Sequence, residues 1–309
     1  SDFIEKEKSK FKKVDCMQKL HIQFTLFSAF YSPLISAMTG GFLAEEGFEY
    51  EWSISEPGVS ALKALEDGKA QVVQSTISQG FSSLEKGEQP QAKHFALINN
   101  MDGFFLSGRQ ADSNFTLSSL EGADVLVHHG GQPMTMFKYA CHKANIDISK
   151  INIIDAGNAK EMDTAFRAGQ GDYIHQQGPA PQQLEADRAG FVLTALGPLV
   201  GPCAFSSLAA MPSWIHSEEG RAFCQAYART RRYISTALPE DIASVQKPLF
   251  PQIEETILKD CIQSYQQMGC WPEDMEIGKE GFDAMLDIFT FDDKISKRHS
   301  YETICMKTP

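Results

Sequence analysis

The chain has 309 residues, of which 42% are hydrophobic and 22% charged, and its formal net charge at pH 7 is −12. This length predicts two domains or lobes, and the acidic balance argues against nucleic acid or an anionic membrane surface as a partner. No apolar run approaches the roughly 18 residues of a membrane-spanning helix, and no signal-peptide core is found.

Polar residues dominate the first 19 positions, which we expect to be a trimmed start or a tether. An alternating series of strands and helices then begins, and such a series predicts a mostly parallel sheet covered by helices. Strands are predicted at residues 20–27, 48–53, 70–74, 93–99 and 103–107, and helices at 32–46, at 56–67 and from the residue after Thr76 through Glu85.

A second series follows a polar connection, and three longer helices form the last part of the chain. Strands are predicted at residues 123–127, 151–155, 172–175, 191–194 and 203–211, and helices at 132–144, 159–168, 180–187, 217–237, 252–268 and 279–289. Residues 64–74 and 165–176 share the same succession of a helix end, a glycine and a strand. This internal repeat indicates either two lobes of like topology or a coincidence of common βα patterns.

The stretch 123–144 combines a buried strand, the pair Gly130-Gly131 and a helix with Pro133 near its start. This arrangement places unpaired backbone N–H groups at the carboxyl end of a parallel sheet, where open α/β sheets bind small ligands. An ordinary turn, whose glycines only form the bend, explains the same residues equally well.

The two lobes are expected to share the chain discontinuously. Residues 20–106 and 206–309 are assigned to lobe 1, and residues 107–205 to lobe 2. Two strand crossings, near residues 106–108 and 203–206, would form the hinge between them. The expected fold class is therefore α/β, with two lobes joined by two crossing strands and a ligand cleft between them.

Seven cysteines cannot all be paired, and their spacing fits no zinc or CxxC pattern. His128 and His129 form the only histidine pair, and adjacent strand side chains point to opposite faces. We therefore expect neither a metal site nor a cofactor. A bridge between Cys261 and Cys270 stays open at this point but is not expected.

An ordered set of segments covers nearly the whole chain from residue 20: FSAFYSPLISAMTGGFLAEEGFEYEW, ALKALEDGKAQVV, LEGADVLVHHGG, AFRAGQGDYI and CWPEDMEIGKEGFDAMLDIF. Together they resemble the substrate-binding proteins of the nitrate/sulfonate/taurine and thiamine-pyrimidine ABC importers. The resemblance implies a type II periplasmic-binding-protein fold that closes on a small molecule and delivers it to the importer's membrane subunits. It also implies a place of action in the periplasm or otherwise outside the cytoplasmic membrane, and we expect a monomer.

The same group contains an enzyme, the fungal pyrimidine synthase of thiamine biosynthesis, which consumes one of its own histidines and carries a CCCFC motif linked to iron. Ser78 stands at the position of that histidine, and residues 202–206, PCAFS, keep only Cys203 of the motif's cysteines. Both departures put the reaction in doubt, because one thiol is a poor iron site. A pyrimidine-synthase-like enzyme and a cytosolic ligand sensor on the same fold remain the alternatives to a binding protein.

Loops that follow the predicted strands supply the candidate ligand-binding side chains. They contain no arginine and one lysine, Lys160, and they offer rings, amides, hydroxyls and the carboxylate of Asp102. This inventory predicts a neutral or weakly cationic heteroaromatic ligand, such as an aminopyrimidine that is a thiamine precursor, rather than a sulfonate held by a guanidinium. The candidates are Phe30, Tyr31, Ser75, Thr76, Ser78, Asn100, Asp102, His129, Gly130, Gly131, Gln132, Gln176, Gln177 and Cys203. No catalytic residue is assigned.

Overall fold

Within residues 17–309, which the computed structural model describes, ten strands form two five-stranded sheets. The strands are β1 (Gln18–Phe24), β2 (Phe48–Ile54), β3 (Val72–Ser75), β4 (Lys93–Asn99), β5 (Phe104–Gly108), β6 (Asp124–Leu126), β7 (Asn152–Ile154), β8 (Tyr173–Gln177), β9 (Phe191–Ala195) and β10 (Ser206–Ala210). Cys16 and most of the polar segment predicted for residues 1–19 lie outside the described residues.

Helices pack around both sheets. The α-helices of the described chain are α1 (Ser32–Thr39), α2 (Phe42–Glu45), α3 (Ala61–Glu66), α4 (Ile77–Glu85), α5 (Gly131–Lys143), α6 (Ala159–Arg167), α7 (Ala180–Ala186), α8 (Gly197–Val200), α9 (Pro212–Ile215), α10 (Glu218–Thr236), α11 (Pro239–Gln246), α12 (Glu255–Met268), α13 (Lys279–Phe291) and α14 (Tyr301–Ile304). Most predicted strands and helices are confirmed with small shifts at their ends. The helix predicted at residues 32–46 is instead two helices, because Gly41 adopts a left-handed conformation with φ of 84°.

Both sheets have the same topology. The first has the order β2-β1-β3-β10-β4 and the second the order β7-β6-β8-β5-β9. In each sheet one strand, β10 or β5, runs antiparallel to both of its neighbours, and the other described pairings are parallel. The strands of the internal repeat, β3 and β8, occupy equivalent positions, so the two lobes of like topology are confirmed.

The chain passes between the sheets twice, through residues 100–103 and 196–205. We use lobe 1 for the elements around the first sheet and lobe 2 for those around the second. The segment 106–108, where the first hinge was predicted, lies inside β5 and pairs with β8 and β9 on its two edges. A strand hydrogen-bonded on both edges resists dihedral change, so the first crossing lies a few residues earlier than predicted.

One continuous hydrophobic core joins the lobes, and a smaller cluster lies in each. The cysteines at positions 141, 203, 224, 261, 270 and 305 are buried free thiols, so Cys261 and Cys270 are not bridged. Nowhere between residues 17 and 309 does a helix have the length and apolar character needed to cross a membrane.

Candidate functional site

A cavity of about 120 Å³ lies between the lobes, at the edge of each sheet where its parallel strands end. Lobe 1 contributes the segment after β1, and lobe 2 contributes the ends of β6 and β8, the start of β5 and the first residues of α6 and α7. The lining residues are Leu26, Phe27, Ser28, Phe104, His128, Ala159, His175, Gln176, Gln177, Gly178, Pro179 and Ala180. Open α/β sheets bind ligands at this edge.

A larger open hollow of about 550 Å³ lies beside α13 and the C-terminal residues. All of its lining residues come from the last part of the chain, from Glu276 onward, so closure of two lobes would not enclose a ligand there. Most of its charged side chains are already paired, as Lys279 with Asp283 and Arg298 with Asp287 show. The inter-lobe cavity is therefore the better candidate site.

Aromatic rings held by stacking form two walls of the inter-lobe cavity. Phe27 of lobe 1 stacks on Trp52 and Phe250, with ring centroids 4.7 Å and 5.0 Å apart. Phe104 of lobe 2 stacks on His175, with centroids 4.2 Å apart and an interplanar angle of 20°. Stacked neighbours restrict each ring, so the cavity presents rigid aromatic surfaces from both lobes.

Two neutral imidazoles lie against Phe104. Burial lowers the pKa of His175 well below its usual value and also lowers the pKa of His128. The backbone N–H of His128 donates to Nδ1 of His175 at 3.4 Å, so the single proton of this neutral ring is on Nε2. Nε2 of His175 is buried and has no hydrogen-bond partner in the described chain.

Two glutamine side chains at the end of β8 are oriented by partners on one side. Nε2 of Gln176 donates to Oδ1 of Asp163 at 3.0 Å, and Nε2 of Gln177 donates to the Tyr31 hydroxyl at 3.4 Å. Each amide oxygen, Oε1, is buried and without a partner among residues 17–309. Buried polar atoms normally have partners, so these oxygens are free to accept from a bound molecule.

No charged side chain lines the inter-lobe cavity within the part of the chain that the structure describes. Lys160, the one lysine in the predicted cleft loops, is exposed and outside the lining, and Asp155 lies 3.8 Å from Nδ1 of the candidate His129. The polar lining therefore consists of neutral imidazoles, amides and the Ser28 hydroxyl.

Three of the predicted candidates form a hydrogen-bonded chain across the lobes instead of lining the cavity. The Thr76 and Ser78 hydroxyls are 2.6 Å apart, and Ser78 donates to Oε1 of Gln132 at 2.8 Å. Nε2 of Gln132 then donates to the Phe205 carbonyl at 2.7 Å. These contacts join α4 of lobe 1, α5 of lobe 2 and the second crossing, so these side chains are used in holding the lobes together.

A second group of candidates lies buried at the crossings. Asp102 accepts the Phe104 N–H through Oδ1 at 2.7 Å, while its Oδ2 has no partner in the described chain. Burial raises the pKa of Asp102 to about 7. Asn100 has a buried, unpartnered Oδ1, and Cys203 is buried with the pKa of its thiol raised by burial.

The remaining candidates are distributed between core and surface. Phe30 is fully buried against Tyr265, with centroids 4.7 Å apart, and its ring occupies the space that a Cβ on Gly103 would need. Ser75 is buried, whereas Gly130 and Gly131 are exposed at the start of α5. Of the predicted candidates, only Gln176 and Gln177 line the cavity, and Tyr31 touches it through Gln177.

Sequence reasoning missed the aromatic and imidazole lining. Phe27 and Phe104 fall in predicted strands. His128 and His175 fall in loops that are expected to face the cleft, but neither is among the candidates. The available signal was position, because these residues lie at or just beyond strand ends, Phe27 in lobe 1 and the others in lobe 2. Residues 17–309 also contain no group of three or more His, Cys, Asp or Glu side chains placed to hold a metal ion.

Comparisons with known proteins agree with this architecture. No protein-family model matches the chain. It is 21% identical over 300 residues to the putative binding protein YtlA of Bacillus subtilis, a match that covers 96% of this chain and 90% of that protein.

Two solved structures give the fold. The alkanesulfonate-binding protein SsuA of Xanthomonas axonopodis pv. citri, bound to MOPS, matches with a TM-score of 0.73 at 12% identity, over 94% of this chain and 98% of that one. A Candida albicans protein with the generic periplasmic binding protein fold matches with a TM-score of 0.65 at 11% identity, over 94% of this chain and 96% of that one. The fold that the resemblance implies is thus confirmed: the chain has the periplasmic-binding-protein fold.

Proposed function

We propose that this chain is the solute-binding protein of an ABC importer and closes its lobes on a small neutral heteroaromatic molecule, such as an aminopyrimidine. The observation that carries the proposal is the inter-lobe cavity, whose described lining has stacked rings and neutral polar groups but no charge. Its volume of about 120 Å³ limits the ligand to one small ring, since an apolar protein cavity of about 150 Å³ holds benzene. Delivery to the importer would take place outside the cytoplasmic membrane.

A small anion is the second candidate ligand, because the first residues of two helices line the same cavity. Ala159 begins α6 and Ala180 begins α7, and unpaired backbone N–H groups at helix starts attract anions. Asn158 already caps α6 by accepting the Glu161 N–H, which leaves fewer N–H groups for a ligand. The neutral ligand is therefore preferred.

A melting screen separates these two ligands. A ligand at about 100 times its dissociation constant stabilises the folded protein by roughly 2.7 kcal/mol, which corresponds to a shift of about 4 °C for a chain of this size. We expect aminopyrimidines to raise the melting midpoint and taurine, alkanesulfonates and nitrate to leave it unchanged. A larger shift with a sulfonate would contradict the neutral ligand.

Two matched variants sharpen the screen. Ala159→Asp adds a negative charge beside the cavity, and Ala168→Asp adds the same charge at the exposed other end of α6. If the ligand is neutral, both variants should retain the aminopyrimidine shift. Loss of ligand binding in Ala159→Asp alone would instead identify an anion bound at the start of α6.

We do not expect this chain to catalyse the pyrimidine-synthase reaction. Ser78 is hydrogen-bonded to Thr76 and Gln132, and Cys203 is 2% exposed, so neither supplies the histidine or the cysteine cluster of that enzyme. Incubation with pyridoxal phosphate and iron should therefore yield no pyrimidine. Detection of a new pyrimidine by mass spectrometry would overturn the binding-protein assignment.

A further inference from the structure

At the end of β8, two side chains each use one polar atom in a hydrogen bond within the protein, and that bond indicates whether the remaining polar atom is a donor or an acceptor. His175 offers a donor, because its Nδ1 is occupied by the His128 backbone N–H and its proton is on Nε2. Gln177 offers an acceptor, because its Nε2 donates to Tyr31 and leaves Oε1 unpartnered. Side chains two residues apart in a strand share a face, so this donor and this acceptor lie on the same side of β8.

We propose that His175 and Gln177 select the ligand, with Nε2–H of His175 donating to a ring nitrogen or carbonyl of the ligand and Oε1 of Gln177 accepting from its amino or amide N–H. This inference rests on the proposed function and names the ligand class of the same cavity. The class is a single-ring heterocycle that carries one acceptor and one N–H donor.

The surroundings of His175 make this donor selective. Its ring is fully buried, stacks on Phe104 with centroids 4.2 Å apart and packs against the tilted ring of Phe137 at 5.5 Å, so it cannot turn to exchange its two nitrogens. A buried donor left without a partner costs free energy. A ligand without an acceptor leaves the His175 N–H unpartnered and therefore binds more weakly than a ligand that has one. A purely hydrophobic pocket would distinguish these two ligands only weakly.

Three probes of equal size test the assignment by calorimetry. 4-Aminopyrimidine has both groups, aniline keeps the amino group without a ring nitrogen, and 4-methylpyrimidine keeps the ring nitrogens without the amino group. We expect 4-aminopyrimidine to bind the native protein at least tenfold more tightly than either analogue. In His175→Phe its advantage over aniline should disappear, while the exposed control His142→Phe should retain it.

The outcomes distinguish the inference from the function it rests on. Equal binding of 4-aminopyrimidine to native protein and His175→Phe would overturn the role of His175 but would still support the proposed binding of a neutral ligand. Binding of a sulfonate with none of the three probes would overturn the proposed ligand itself.

A direct measurement covers the case in which His175→Phe does not fold. Nitrogen NMR of the native protein with ¹⁵N-labelled histidine reports which ring nitrogen carries the proton. The assignment requires the Nε2–H form of His175, with a change in its shift when 4-aminopyrimidine is added. Observation of the Nδ1–H form, or no change at saturation, would overturn it.

Discussion

Asp102 should make the stability of the protein depend on pH, and Asp102→Asn should remove this dependence. The carboxyl is fully buried in the first crossing, and burial raises its pKa from 3.8 to about 7 although the Phe104 N–H opposes the shift. A group whose pKa is higher in the folded state binds its proton more tightly there. Its stabilising contribution is therefore complete below the unfolded pKa and is lost as the pH rises through about 7.

The magnitude follows from the size of the shift. Between roughly pH 4 and pH 7 the free energy of unfolding should fall by about 1.4 kcal/mol per pH unit. From pH 5 to pH 8 the loss is therefore roughly 2.7 kcal/mol, or about 4 °C in the melting midpoint of a chain of this length. Asp102→Asn keeps the size and the acceptor for the Phe104 N–H but has no proton to lose.

Thermal melts of native protein and Asp102→Asn at pH 5 and pH 8, at equal ionic strength, provide the assay. From pH 5 to pH 8 the melting midpoint of the native protein should fall by about 4 °C more than that of Asp102→Asn. Asp260→Asn, which removes an exposed carboxyl, should show the same fall as the native protein. Parallel pH dependence of native protein and Asp102→Asn would refute the reasoning, because Asp102 would then titrate alike in the folded and unfolded states.

Two further predictions concern closure and packing. Asp292 follows α13 and contacts Lys138 and Thr135 of α5 across the lobes at 3.0 Å and 2.6 Å. Asp292→Asn should therefore increase the radius of gyration of the ligand-free protein in X-ray scattering, and saturating ligand should restore the compact value. An unchanged radius in the ligand-free variant would show that this contact does not keep the lobes closed. A Cβ on Gly103 would lie 2.5 Å from the Phe30 ring. Gly103→Ala should therefore lower the free energy of unfolding by about 1–3 kcal/mol in a denaturant titration. Gly278→Ala, with open space around its Cβ, should lower it far less.

Local patterns in the sequence were sufficient for the order of the elements. Glycine positions and apolar periodicity identified nearly every strand and long helix, and the repeat at residues 64–74 and 165–176 identified the like topology of the lobes. The first crossing was placed too late, because the pairing of β5 with β8 and β9 joins segments distant in sequence. No local signal in residues 106–108 shows that both edges of this strand are hydrogen-bonded.

The sequence located the edge of the sheets that holds the cavity but only some of the side chains that reach it. Tyr31, Gln176 and Gln177 lie in or beside the cavity, whereas Phe30 and Asp102 turn into the core. Which side chain faces the cleft depends on how the lobes approach each other. The donor role of His175 depends on a backbone N–H 47 residues away, and a single histidine carries no periodic pattern that would reveal it.

The discontinuous path of the chain determines the order in which the protein is completed during synthesis. All strands of the second sheet lie between residues 104 and 195, so that sheet is available as one contiguous piece. The first sheet lacks a central member until β10 inserts between β3 and β4, and bringing those distant segments together adds a loop-closure cost. On the ribosome lobe 2 can therefore form first. Lobe 1, which contains the start of the described chain, cannot be completed until β10 has been synthesised.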